Sequence, residues 1–243
     1  YKEQFHRIEF GVRIQQETSE SFFCEYKDEE GQLNDPKFIY VDSLRQIQLR
    51  TFCACKDGEV VVSNTSGTLT YLHAPLIILL PGLYTASGRA DCMPSGVSNI
   101  GFNVRVLNES TAREIWSHMS NALTKAENCF ELPLKNLTEN VQQESVDVVN
   151  VRESRNALHT IFGNTATEEL IGGLTKLCEK FSVDRSEARV IGPTLEGVGW
   201  YPQLDSRLKI ERLPVWVCGD STGSFRGIVA ALISGHYVRS QLI

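Results

Sequence analysis

The residues best suited to chemistry lie in a glycine-rich run around one acid: Gly219, Asp220, Gly223, Arg226 and Gly227. Asp220 offers a carboxylate that accepts hydrogen bonds from ribose or ribityl hydroxyls. Gly223 lets backbone approach a ligand closely, and a helix starting there turns unpaired N–H groups toward a phosphate or a ring carbonyl. The spacing predicts a buried strand over 213–218, a tight turn at Gly219-Asp220 and a helix over about 223–241. Loops at the carboxyl end of such a strand are where open α/β sheets bind ligands. Along that helix, Gly227, Ala231 and Gly235 form a smooth stripe. Phe225, Ile228, Val229 and Leu232 follow the i, i+3, i+4, i+7 pattern of a buried face. A plain strand–turn–helix with Asp220 as a cap is the simpler alternative.

The second constellation is RTFCACKDGEV over 50–60. Cys53 and Cys55 stand two apart on a predicted strand and so face one way, with Cα atoms about 6.5–7 Å apart. That is at or beyond the reach of an unstrained disulfide. No second pair of ligands at zinc spacing accompanies them, so core packing leads over zinc and over a redox pair. The third is SGRADCMPSGVSNIGFNV over 87–104, where Arg89, Asp91, Ser95, Ser98 and Asn99 would present charge and hydrogen bonds from a loop. A solvated loop is the competing reading. The five histidines are isolated in sequence, and there is no GxSxG, HExxH or GxxxxGK[ST] motif. A GxGxxG fingerprint is also missing; Gly197-Val198-Gly199 runs into Trp200-Tyr201-Pro202.

The elements that must position these groups divide the sequence by texture. Residues 1–109 read as strands: 5–16, 46–54 and 59–64 around Asp57-Gly58 as a hairpin, then 68–72, 76–80 and 100–107, with 82–98 a long loop. Residues 110–205 read as helical. Thr111 with Glu114 and Thr165 with Glu168 form capping boxes, a weaker helix lies within 140–161, and 181–200 is connection plus a short strand. Residues 206–243 hold the closing strand and helix. The expected class is α+β.

Bulk properties limit the partners. At 243 residues, 42% hydrophobic and 22% charged, the sequence describes an ordinary globular protein. A net charge of −6 argues against nucleic acid and anionic membrane surfaces. The run 76–80 is too short to span a bilayer. Seven cysteines without repeating spacing form no disulfide framework and point to a reducing, cytoplasmic location. The sequence opens almost directly into a strand without Met, which suggests a fragment.

Taken in order, the motifs resemble those of a group of uncharacterised bacterial FAD-dependent dehydrogenases. These are a Gly-Val-Arg element (Gly11, Val12, Arg13), an Arg-x-Phe-Cys-x-Cys element with a glycine turn (Arg50, Phe52, Cys53, Cys55, Gly58), a Ser-x-Arg and Asn segment (Ser87, Arg89, Asn99), and the closing Gly-Asp…Arg-Gly run. Ala54 and Lys56-Asp57-Gly58 stand where the family has Met and Pro-Gly-Gly. The resemblance implies an inserted, substrate-side domain over 1–205 and, over 206–243, the last strand and helix of a two-dinucleotide-binding-fold FAD domain. In it, Gly219 and Asp220 would hold the ribityl–pyrophosphate region, and the 223–227 amides, with Gly223, Arg226 and Gly227, would face the flavin pyrimidine ring. Arg50, Arg89, Asp91 and Asn99 are the nominees for substrate-side contacts. The other half of the FAD site would belong to a missing amino-terminal segment, so this chain would hold FAD weakly or not at all. The rival from another class is a non-enzymatic binding or oligomerisation module; a second is a thiol-redox protein using Cys53 and Cys55.

Overall fold

The computed structural model describes residues 2–23, 36–65, 83–89, 94–139 and 148–242. Within them lie eight strands and four α-helices, an α+β arrangement. The strands are β1 (Glu3–Glu17), β2 (Ile39–Asp42), β3 (Ile47–Cys55), β4 (Val60–Thr65), β5 (Leu83–Gly88), β6 (Val97–Val106), β7 (Phe130–Pro133) and β8 (Arg189–Pro202). The helices are α1 (Glu109–Ala122), α2 (Leu134–Thr138), α3 (Val148–Phe181) and α4 (Ile228–Ser240). An antiparallel sheet runs in the order β2-β3-β6-β1-β8-β7, and β4 pairs with β5 in a separate two-stranded ribbon.

Alternation in the central strands splits this sheet into two unlike faces. Ile8, Phe10, Val12 and Ile14 of β1, with Ile100, Phe102, Val104 and Val106 of β6, are buried in one apolar core with residues of α1 and α3. Phe10 meets Phe162 of α3 at 5.3 Å between ring centroids. The intervening positions carry Arg7, Glu9, Gly11 and Arg13 on β1 and Asn99, Gly101, Asn103 and Arg105 on β6. Strand pairing sets Glu9 opposite Arg105, Gly11 opposite Asn103 and Arg50 of β3 opposite Asn103. The second face is therefore polar, and it bears the candidate site.

Several expectations are corrected. β3 and β4 do not form a hairpin. Asp57 does adopt a turn conformation, at φ 53°, but its carboxylate accepts from the Gly96 N–H at 2.9 Å, and its own N–H donates to Ser98 Oγ at 2.7 Å. Those bonds tie the turn to β6, and β4 leaves the sheet to pair with β5, whose 83–88 span lies inside the expected loop. The short strand expected within 181–200 is instead a 14-residue strand beside β1. β7 and β8 thus complete the sheet, so strands and helices do not separate at 109/110. Helix α1 is capped one turn earlier than Thr111, by Asn108, whose side chain accepts from the Thr111 N–H at 3.0 Å. The break expected between two helices before Thr165 is a kink at Gly163, where φ is 77°. The strands expected at 68–72 and 76–80, and the helix expected within 140–161 up to residue 147, lie outside the described residues.

The closing segment departs most. Residues 213–218 form no strand: Leu213 and Val215 are each 41% exposed, and the pairing there is a single bridge, Lys209 with Trp216. The helix begins at Ile228, because Gly223 and Gly227 both take left-handed φ values (78° and 93°) that interrupt helical geometry. Of the face expected to be buried, Ile228, Val229 and Leu232 are 68–82% exposed and Phe225 is half-buried; Ile233 beside them is 61% exposed. The small-residue side of the helix explains this, since Ser234 is its fully buried residue and docks on the 219–222 turn, leaving the apolar side uncovered by any described element.

Candidate functional site

The site is organised by Glu9, a carboxylate 2% exposed on the polar sheet face. It accepts from Arg7, from Arg105 Nη2 at 2.8 Å and from Arg226 Nη1 at 3.3 Å. A register break between Glu9 and Phe10 places Glu9 opposite Gly197 and Phe10 opposite Leu195, so Glu196 bulges out of β8. Glu196 pairs with Arg226. Arg226 thus fastens the glycine turn to two strands of the sheet. Arg7 adds a second tie, donating through Nη1 to the Gly223 carbonyl at 2.6 Å.

Local chemistry fixes the turn itself. Gly219 donates its N–H to Ser234 Oγ at 2.7 Å, which sets the turn against α4. The Thr222 hydroxyl accepts from the Ser224 and Phe225 N–H groups at 3.1 and 3.3 Å. Gly223 is required twice over: its φ is left-handed, and a Cβ there would stand 2.7 Å from the Tyr201 ring. Gly227 precedes α4 with φ 93°, open space beside it, and no side-chain cap on the first helical turn. The N–H groups of that turn are thus available to an acceptor from outside.

Asp220 is solvent-accessible yet crowded by protein, and this partial desolvation raises its carboxyl above the usual range. Arg7 opposes the shift and Glu9 adds to it. Burial likewise raises the Tyr201 hydroxyl and, with Arg7, lowers His6, whose ring meets the Tyr201 ring edge-on at 5.4 Å. A cavity of about 210 Å³ lies on the polar face, walled by Glu9, Arg50, Phe52, Arg105, Glu196 and Arg226.

The nominated residues have different fates. Gly219, Asp220, Gly223, Arg226 and Gly227 come together as one turn, and Arg50 joins Arg226 at the cavity. Asn99 is fully buried; it accepts from Arg13 Nε and donates to the Gly58 carbonyl at 2.6 Å. Arg89 is exposed at the end of β5, its N–H donating to the Glu59 carbonyl at 2.9 Å. Asp91 lies outside the described residues. Cys53 and Cys55 do not face one way: Cys53 sits at φ 45° within a register break of β3 and is exposed, whereas Cys55 is 5% exposed.

Sequence reasoning missed Glu9, Arg105 and Glu196. The signal was available for the first two as charges at the intervening positions of two apolar strands. For Glu196 it was hidden, because only the bulge brings it to the site. Among the described residues there is no group of three or more side chains able to hold a metal, and no helix is long and apolar enough to cross a membrane. No family model and no characterised protein matches the chain.

Proposed function

We propose that this chain supplies the substrate-side domain and one side of the cofactor site of a FAD-dependent oxidoreductase. The observation that carries the reading is the 219–227 turn: three left-handed glycines and one acid leading into an uncapped helix. Flavin and pyrophosphate sites use such backbone, because exposed N–H groups and close approach do there what side chains do elsewhere. Asp220 would accept from sugar or ribityl hydroxyls, and the first-turn amides of α4 would meet the polar edge of the ring. When bound, the flavin supplies hydride transfer. The residues of this chain orient the ligand, and Arg226 keeps the turn in register with the sheet. On this reading the bare apolar side of α4 is the surface that the rest of a FAD domain covers.

Saturation-transfer NMR with FAD tests the proposal at the weak affinity expected of one side of a site. Signal from the ribityl and ring protons that disappears in Asp220→Ala supports it. No transfer to wild type, or equal transfer to both proteins, overturns it.

A second reading, a non-enzymatic association module, is favoured by the same α4 face and by the exposed Ile39, Tyr40 and Val41 on edge strand β2. Sedimentation separates them. Self-association abolished by Leu232→Glu, without FAD transfer, would favour this reading.

A further inference from the structure

The cavity on the polar sheet face carries an imbalance of charge that a ligand would correct. Four guanidinium groups, Arg7, Arg50, Arg105 and Arg226, converge on two carboxylates, Glu9 and Glu196. The carboxylates are engaged by Arg7, Arg105 and Arg226. Arg50 shares in none of these pairs, and its Nε is buried without a hydrogen-bond partner among the described residues. Arg105 Nε is in the same condition, although its Nη2 reaches Glu9. An unmet donor on a buried charged group is costly to the fold, and arginine does not escape by releasing its proton. Burial and the repulsion of Arg50 and Arg7 weigh against the charge of Arg105, which Glu9 only partly offsets.

We propose that this cavity binds a small carboxylate substrate, its two oxygens taken by Arg50 and Arg105, beside the Arg226 turn. The chemistry selects a carboxylate over other anions. Guanidinium forks match a carboxylate bidentately. Glu9 and Glu196 in the wall repel a compact dianion such as phosphate. At about 210 Å³ the cavity is below the roughly 300–1,000 Å³ of sites for drug-sized ligands, so the substrate is small. The Phe52 ring, seated on Gly101, gives it one apolar wall.

The proposal deepens the flavin reading, because Arg226 belongs to both the cavity wall and the cofactor turn, but its test contains no flavin. The full chain is titrated with succinate, benzoate and inorganic phosphate, following saturation-transfer NMR and thermal unfolding. At least one carboxylate should bind saturably and raise the melting temperature, more strongly than phosphate. Arg50→Gln should weaken that binding tenfold or more without lowering the melting temperature of the free protein, since it removes a charge that repels Arg105. Arg50→Lys, which keeps the charge and loses the fork, should lie between. Failure of both carboxylates to bind, equal binding by Arg50→Gln, or tighter binding of phosphate would overturn the proposal. Failure here leaves the FAD experiment standing, and failure of that experiment leaves carboxylate binding standing.

Discussion

The Arg13 guanidinium donates through Nε to the side-chain oxygen of Asn99, with both residues inside the protein at 3% and 0% exposure. This one contact joins the Gly-Val-Arg element to the Asn segment. Arg13 Nη2 extends the link to the Cys53 carbonyl at 2.5 Å and the Cys55 sulfur at 3.5 Å. Three stretches far apart in sequence thus share one buried cation. Asn99→Ala removes an acceptor from that charge and a donor from the Gly58 carbonyl. A loss of about 3 kcal/mol in stability is expected, within the range for uncovering a buried charged group. Urea unfolding measures it. A loss under about 1 kcal/mol would mean that the Cys53 carbonyl suffices for Arg13.

Two glycines on the same face are expected to reject alanine. A Cβ at Gly11 would stand 2.0 Å from the Phe102 carbonyl oxygen, and one at Gly101 would stand 2.3 Å from the Phe52 ring. Backbone cannot yield at the first position, so Gly11→Ala should cost more than Gly101→Ala, where an aromatic side chain can shift. Overpacking of this kind costs about 1–3 kcal/mol and occasionally more. Gly172→Ala is the control: the position is helical with nothing within 4 Å, so the change should be neutral or stabilise by up to about 1 kcal/mol. Thermal unfolding of the three variants should rank them Gly172→Ala, Gly101→Ala, Gly11→Ala in falling stability.

The contrast shows how far sequence alone reaches here. Strand alternation over 5–16 and 100–107 was legible because period-two burial leaves a direct mark on residue type. The start of the glycine turn, Gly219-Asp220, was legible because left-handed backbone selects glycine, whereas Gly223 and Gly227 read as helix and instead extend the turn to Ile228. What could not be read is partner choice. Asp57-Gly58 signals a hairpin, yet the Asp57 carboxylate is used by Gly96, and that long-range bond decides where β4 goes. Likewise the apolar residues of α4 match a buried helix face, but the face that docks is the one bearing Ser234, and burial of a helix depends on what lies beside it. Glu196 reaches the site through a bulge, which has no signature in composition.

Among the described residues, thiol reactivity should divide the cysteines by environment. Cys53 and Cys218 are exposed, whereas Cys55 and Cys178 are buried, and burial pushes the Cys178 thiol up to about 11. Burial also raises Cys129. Because the thiolate is the reactive form, iodoacetamide at pH 8 should label Cys53 and Cys218 first, Cys129 slowly, and Cys55 and Cys178 only on unfolding. Peptide mass spectrometry reads this site by site. The opposed placement of Cys53 and Cys55 also means that mild oxidation should leave them unlinked. A Cys53–Cys55 disulfide in the oxidised protein would revive the thiol-redox alternative.

Asp220 should behave as a residue kept at a cost to the fold. Its carboxyl is raised in the folded protein, chiefly by desolvation, so between its unfolded and folded values the native state holds the extra proton. Stability from this group is therefore present at low pH and is lost as pH rises through the carboxylate range into the folded value. Above that it is a constant penalty, softened by Arg7. Asp220→Asn removes the titration, so the variant's melting temperature at pH 7 should equal or exceed that of wild type, and the two should converge as the pH falls toward 4. A purely structural acid would show the opposite order at pH 7. The same substitution should diminish FAD saturation transfer, since an amide is a weaker acceptor than a carboxylate for sugar hydroxyls. Stability held or gained together with ligand binding lost is the signature of a functional site. If Asp220→Asn instead lowers the melting temperature at pH 7 and leaves FAD transfer intact, the acid serves the turn and the cofactor reading loses its main side chain.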